Sequence, residues 1–340
     1  MTIKESISGI SRRSFMKVAV SASAVAVATP VAVTVAHRSK ELEIERRIAE
    51  FIDNQRKTFS QYIFDETPGA NPKPHLGNGL QYTQFNVDHS LDNVALFDSP
   101  VVAFASADDP LFNELKKPGV VGPNHMNPQE WLPGAKTVIS YFYPFVEEIR
   151  ASNRQPGLPS RKWLAGKAQA EIFIHSTSYE LTKFFAGLGV ESLVPDHDPR
   201  FKMVRYGNVS APNWSERHVA WIAGVGTFGL HKSLITEKGS AGRLGSVITT
   251  LELKPTVRRY KGKNDYCPYF VDGSCVACID RCSGHAVSKT NNDQATLCAK
   301  YCKDNVVASI APIPYRGGCG KCQNAVPCEN RIPQGIKLQA

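Results

Sequence analysis

The sequence predicts an α/β domain followed by a small cysteine-ligated module, and three observations carry that expectation. Strand-like and helix-like stretches alternate between residues 131 and 258. All nine cysteines fall after residue 266. The first 36 residues read as an address rather than as part of a fold. The expected organisation is a signal segment at 1–36, a helix and loop-rich region at 37–130, the α/β domain at 131–258 and the cysteine module at 259–340. At 340 residues and 42% hydrophobic the chain can bury a proper core. Its net charge of +9 includes +3 from residues 1–36, and the rest forms no dense basic run. Such a modestly basic surface suits anionic lipid, nucleic acid or an acidic electron donor without selecting one.

Taken in order, Ser11-Arg12-Arg13-Ser14-Phe15-Met16-Lys17 precedes an uncharged Ala- and Val-rich stretch from Val18 to Ala36. This is the pattern of a twin-arginine export signal. A membrane helix is the competing reading, since about 19 apolar residues just span a bilayer. The many Ala, Ser and Thr make it a weak one, although retention as an anchor stays open. Small residues near Ala28 or Ala36 offer cleavage points. The expected partner is the Tat translocase, and the expected location the periplasm or the outer face of the cytoplasmic membrane. That route carries folded proteins, commonly with a cofactor already inserted.

Residues 41–64 place Ile44, Ile48, Phe51, Ile52, Phe59 and Ile63 at helical spacing. About seventy residues rich in Pro, Gly, Asn and Asp come next and read mostly as loop. Thr137 to Tyr143, between Pro133-Gly134 and Pro144, reads as a buried strand. Glu171 to Phe185 reads as a helix ended by Gly187 and Gly189. Ser215 can cap a helix through Ala223, and Leu244 to Leu251 reads as a strand. Gly224-Val225-Gly226-Thr227-Phe228-Gly229 matches G-x-G-x-x-G, but a helix leads into it where a dinucleotide site needs a strand. The glycines still permit close backbone approach to something flat or bulky.

The cysteines are Cys267, Cys275, Cys278, Cys282, Cys298, Cys302, Cys319, Cys322 and Cys328. An exported protein invites a disulfide reading, yet nine is odd and close pairs suit chelation better than bridging. Two C-x2-C pairs also allow a four-thiolate zinc site. The order of spacings favours iron and sulfide. Cys275-x2-Cys278-x3-Cys282 reproduces three positions of the bacterial ferredoxin run, Cys267 supplies the first, and Cys319-x2-Cys322-x5-Cys328 forms a second run. In two-cluster ferredoxins the fourth cysteine of each run crosses to the other cluster. One 4Fe-4S cluster then takes Cys267, Cys275, Cys278 and Cys328, and the other Cys282, Cys298, Cys319 and Cys322. Cys302 is left over, as the alternative to Cys298. Ser283 and Glu329 stand where a proline commonly follows the fourth cysteine.

The chain resembles the superfamily of epoxyqueuosine reductases and reductive dehalogenases, the corrinoid-dependent iron-sulfur reductases. The resemblance rests on residues 133–140, on Ser215-Glu216-Arg217-His218 and the glycine run after it, on residues 235–239, and on the two cysteine runs, and covers about 130 to 333. It implies a nitroreductase-like α/β core binding cobalamin, with a ferredoxin-like two-cluster module packed against it. Gly224, Gly226, Gly229, Ser233 and Thr236 are the implied corrinoid contacts; nothing in the spacing itself shows cobalamin. Such a site reduces a carbon–halogen or carbon–oxygen bond and delivers a proton from a nearby acid. The aspartate of the queuosine enzymes falls at Ser210 and the tyrosine of the dehalogenases at Glu171, so neither acid is present. Glu171, Tyr206, Glu216 and His218 are the replacement candidates. Blander roles compete: a helix first-turn charge for Glu216, and surface or helix packing for His218.

Export separates the two activities, because a tRNA-modifying enzyme meets its substrate in the cytoplasm. The expectation is an exported, dehalogenase-like reductase with a small-molecule substrate, fed by an electron-donor protein or membrane quinol system, with nucleic acid not expected as a partner. The chain is short for a respiratory dehalogenase. A ferredoxin-type electron carrier without corrinoid or catalysis of its own is the alternative, and a zinc or disulfide-stapled binding protein the third.

Overall fold

The computed structural model describes residues 30–59, 91, 94–207, 209–290, 293–307 and 318–339. The twin-arginine motif and Ile63 lie outside them. Among the described residues no helix is long and apolar enough to cross a membrane. The chain divides into two units, Met1–Ile44 and Glu45–Ala340, and the second contains both residues 131–258 and residues 259–340.

Helix α1 runs Pro30–Phe59, and its Ile48 and Ile52 are fully buried, as their helical spacing predicts. The stretch read as loop holds strand β1 (Val101–Ser106) and short helices α2 (Leu111–Leu115) and α3 (Pro128–Trp131). β1 is hard to see in the sequence because its six residues, Val-Val-Ala-Phe-Ala-Ser, sit in a region whose composition is set by turn formers. Strand β2 is Thr137–Pro144, buried along its whole length, which explains a run without polar alternation. Helix α4 (Glu147–Ser152) leads to α5 (Arg161–Gly187). α5 starts ten residues before the expected helix, at Ser160, whose Oγ accepts the Trp163 N–H at 3.0 Å. Strand β3 (Ser192–Leu193) and a 3-10 turn (Pro195–His197) come after it. Then come a hairpin of β4 (Met203–Tyr206) and β5 (Val209–Pro212), and helix α6 (Glu216–Ala223).

Ser215 does not cap α6 with its side chain; its hydroxyl is taken by His218 Nδ1 at 2.8 Å. The helix ends on Gly224 at φ +99°, the left-handed position that favours glycine. β6 (Gly226–Phe228) pairs with β7 (Leu234–Thr236), and β8 (Gly242–Thr249) returns to the main sheet. That sheet has the order β1-β2-β8-β3 and all its pairs are antiparallel. The fold is thus mixed α/β, its helices and strands alternating without building a parallel sheet. Side chains alternate across β2. Val138 and Phe142 join Ile248 and the α6 residues Val219, Ala220, Ile222 and Ala223 in one core, whereas Tyr141 reaches Ser178 of α5 with its hydroxyl.

The cysteine segment contributes short helices α7 (Pro268–Val271), α8 (Ala277–Asp280) and α9 (Gln294–Tyr301). It shares a core with the hairpin: Leu230, Ile235, Tyr260 and Tyr266 pack among Cys267, Cys278, Cys282 and Cys328.

Candidate redox centre and the acidic pocket beside it

None of the nine cysteines is in a disulfide. Nor do any three His, Cys, Asp or Glu side chains among the described residues converge as they would on a single metal ion. A tetrahedral zinc at about 2.3 Å from each sulfur needs that tight convergence. A cube of iron and sulfide holds its cysteines farther apart.

The thiols nevertheless gather in two groups. Burial raises Cys278, and so do Cys322, Cys328, Cys267 and Cys275 beside it. Cys328 is pushed up to about 12, first by burial and then by Cys267 and Cys275. Cys278 thus has Cys267, Cys275 and Cys328 about it, and Cys322 of the later run as well. In the second group, Cys298 and Cys319 are both raised chiefly by hydrogen bonding to Cys302, with Cys322 near each. Cys322 is held at about 12 by burial, with Cys282 and Cys302 adding to it. So Cys282, Cys298, Cys319 and Cys322 lie together, and Cys302 stands among them rather than apart.

The sulfurs also have donors. The backbone N–H groups of Ala286 and Val287 point to Cys282 Sγ at 3.2 and 3.4 Å. His231 Nε2 lies 3.4 Å from Cys328 Sγ. Hydrogen bonds to sulfur are among the levers that set cluster potentials. Grouped thiols outside any disulfide, Cys282 among them with two N–H donors, suit iron-sulfur ligation, and a bound cluster would supply one-electron transfer.

A second cluster of chemistry lies on α5. Lys167, Glu171 and His175 recur at i, i+4 and i+8, one stripe on one helix face. Lys167 is buried beside the second thiol group; burial, then Arg243, pushes it down to about 7, while Cys322, Cys319 and Cys298 oppose. Glu171 and His175 line a pocket with Asp196, His197, Glu216 and Arg243, floored by Gly245 and Ser246 of β8. Glu171 is ion-paired with Arg243. His175 bridges two partners: Nδ1 is 2.8 Å from His197 Nε2, and Nε2 is 3.2 Å from Asp196 Oδ2. Burial holds both imidazoles near 4, so they are neutral at pH 7. Burial likewise raises Asp196.

Glu216 is the most perturbed acid of the pocket. Its Oε1 accepts the Ser246 hydroxyl at 2.9 Å, and its Oε2 is buried with no hydrogen-bond partner. Burial pushes it up to about 8, the Ser246 hydrogen bond opposing and Asp196 adding, so it carries a proton at neutral pH. Gly245 matters here because a Cβ on it would lie 2.6 Å from the Tyr141 ring.

Of the four expected acid–base residues, the structure brings Glu171 and Glu216 into this pocket. Tyr206 is instead on β4, its hydroxyl 3.0 Å from Asn124 Nδ2. His218 is bound to Ser215, packs on Phe228 at 4.8 Å between ring centroids and is held near 3 by burial. His175, Asp196, His197 and Arg243 are additions of the structure that no sequence motif announces. They lie too far apart along the chain to form one, although a Lys, a Glu and a His four apart on one helix are a usable signal.

The five implied corrinoid contacts are engaged within the protein. The space a Cβ would take at Gly226 is filled by the Ile235 carbonyl, and at Gly229 by the His231 ring. Gly224 ends a helix. The Ser233 carbonyl accepts the Gly229 N–H at 2.9 Å, and Thr236 Oγ1 donates to the Gly239 carbonyl at 2.9 Å. The acidic pocket, of about 70 Å³, has room for about two waters at roughly 30 Å³ each.

Comparison with known proteins gives a class first. No family model matches the chain. It is similar to epoxyqueuosine reductases, whose names make them oxidoreductases. The relative from Bacillus cereus is 28% identical over 209 residues, covering 59% of this chain and 50% of its own. That from Cyclobacterium marinum is 24% identical over 223 residues, covering 63% and 65%. The chain thus spans about half to two-thirds of the length of these relatives. A solved epoxyqueuosine reductase matches at 20% identity and TM-score 0.40, over 71% of this chain and 63% of the other. Another, holding an epoxyqueuosine-modified tRNA stem loop, matches at 19% identity and TM-score 0.42, over 70% and 62%. That stem loop belongs to the relative.

Proposed function

We propose that this chain is an exported iron-sulfur oxidoreductase that passes electrons through two 4Fe-4S clusters to a substrate bound near the acidic pocket. The carrying observation is the pair of separate free-thiol groups, the second joined to a buried proton-holding pocket by one stripe of helix α5. A nitroreductase-like core and a ferredoxin-like cysteine module belong to the same reading, as does transport by the twin-arginine route to the periplasm or outer membrane face.

The chain's own residues divide the work. Cys267, Cys275, Cys278 and Cys328 hold one cluster; Cys282, Cys298, Cys319 and Cys322 the other. Glu216 holds a proton at its buried carboxyl, Ser246 fixes that carboxyl's direction, and Arg243 pairs with Glu171 in the same pocket. Reduction of a carbon–halogen bond consumes two electrons and one proton and releases halide; removal of an epoxide oxygen consumes two electrons and two protons and releases water. Either draws on a neutral buried acid. The resemblance to epoxyqueuosine reductases supports the carbon–oxygen case, and the export signal a small-molecule substrate outside the cytoplasm.

The ferredoxin-like spacing of the cysteines by itself also supports a second reading, an electron carrier without corrinoid. Iron, sulfide and cobalt are to be measured on anaerobically purified protein together with its visible spectrum. About eight iron and eight sulfide per chain with a broad brown absorption is the expected result. One cobalt per chain would restore the corrinoid enzyme, and its absence favours a corrinoid-free reductase or carrier. Colourless, iron-free protein overturns the proposal.

A further inference from the structure

We propose that Lys167 is the buried counter-cation of the second thiol group and keeps the cluster held there at a higher potential than the first, an inference that rests on the two-cluster reading above. Lys167 is buried on α5 and, among the described residues, makes no ion pair with a carboxylate. Its neighbours are the Trp163 ring, 5.8 Å from Nζ, the Arg243 cation that repels it, and the thiols Cys322, Cys319 and Cys298. A buried ammonium without an anion is costly. A cluster with four thiolates is anionic in both redox states, and so supplies the charge that this site lacks.

The two groups differ in this respect. The second also has Lys321, fully buried, whose Nζ donates to the main-chain carbonyls of Asn153 at 3.1 Å and Gln155. Around Cys328 in the first group stand the His231 ring, its Nε2 at 3.4 Å from the sulfur, and the Ser240 hydroxyl at 3.9 Å. Cys275 of that group also borders an open cleft of about 680 Å³, where the cation present, Arg331, is exposed and screened by solvent, while Lys167 is buried one helical turn from Glu171. A nearby positive charge stabilises the more negative, reduced state and so raises the potential. An electron from an external one-electron donor therefore comes to rest at the second group, beside the pocket that holds the proton. Lys167 acts here as a positioning residue for charge.

The test uses the full-length holoprotein, titrated with dithionite and mediators and followed by electron paramagnetic resonance. The second-group signal is identified as the one lost in Cys322→Ala. In Lys167→Gln its equilibrium preference for the electron should fall at least tenfold, 59 mV for one electron, with the first signal unmoved and Lys167→Arg close to wild type. Two intact signals with unmoved potentials, or both moved equally, overturn the inference. Should Lys167→Gln fail to take up the second cluster, half the iron lost while Lys167→Arg keeps it supports the pairing; loss in both variants overturns it. Iron-free wild-type protein is a different result, which sinks the two-cluster reading itself.

Discussion

Glu216 couples a single carboxyl to the stability of the chain. Held near 8 when folded against an ordinary 4.5, it keeps a proton that the unfolded chain sheds. The folded state binds the extra proton between those values, so its stability falls as pH rises from about 4.5 to 8. Thermal melts should show that decline, and Glu216→Gln should remove it, a difference on the order of a few kcal/mol at pH 8. Identical slopes in the two proteins would mean that the carboxyl is ionised throughout. Two further residues give sharp tests. Gly245→Ala drives a methyl into the Tyr141 ring and should cost about 1–3 kcal/mol by denaturant unfolding. Cys298→Ala should lose about half the bound iron while Cys302→Ala retains it; the reverse would exchange their roles, since Cys302 sits between Cys298 and Cys319. The cysteines are legible in the sequence because chelation leaves a spacing. The pocket is only partly legible: Glu171 and Glu216 emerge from the family resemblance, whereas His175, Asp196 and His197 meet only after α5 and the 3-10 turn pack together.

Helix α5 links the two kinds of chemistry. Its length is set locally, by the Ser160 cap and by Gly187 and Gly189 at its end. Ser160→Ala should cost about 1 kcal/mol, and because the helix carries Lys167, Glu171 and His175, hydrogen exchange should quicken along all three. Its first ten residues are not legible because Trp163, Leu164, Ala165 and Ala168 are buried on several sides, so no single apolar stripe announces a helix. Strand β2 is legible for the converse reason: a short continuous apolar run between Pro133-Gly134 and Pro144 leaves few alternatives. The glycine run reads in the sequence as room for a ligand. Pairing of β6 with β7 gives that room to Ile235 and His231 instead.

Across the whole molecule, His125, His175, His197 and His218 are all held near or below 4 by burial. Each must charge when the chain unfolds in acid. Stability contributed by these groups is present above the ordinary 6.5 and is lost as pH falls toward 4, at up to about 1.4 kcal/mol per histidine per pH unit. With Glu216 acting in the opposite direction, melting temperature should peak between about 6 and 7; a monotonic rise to pH 8 would contradict this. Export has its own test, since Arg12→Lys with Arg13→Lys should leave the protein in the cytoplasm, and unchanged export would refute the twin-arginine reading. By itself the sequence determined the confinement of the cysteines, their division into two runs and the strands and helices with strong local signals, because chelate spacing and hydrophobic period are short-range properties. Only the tertiary structure decided that the sheet is antiparallel, that two histidines, three carboxylates and an arginine line one pocket, and that Lys167 of the same helix lies near the second thiol group. Those depend on which distant segments become neighbours, and burial, which sets their charge states, exists only once they do.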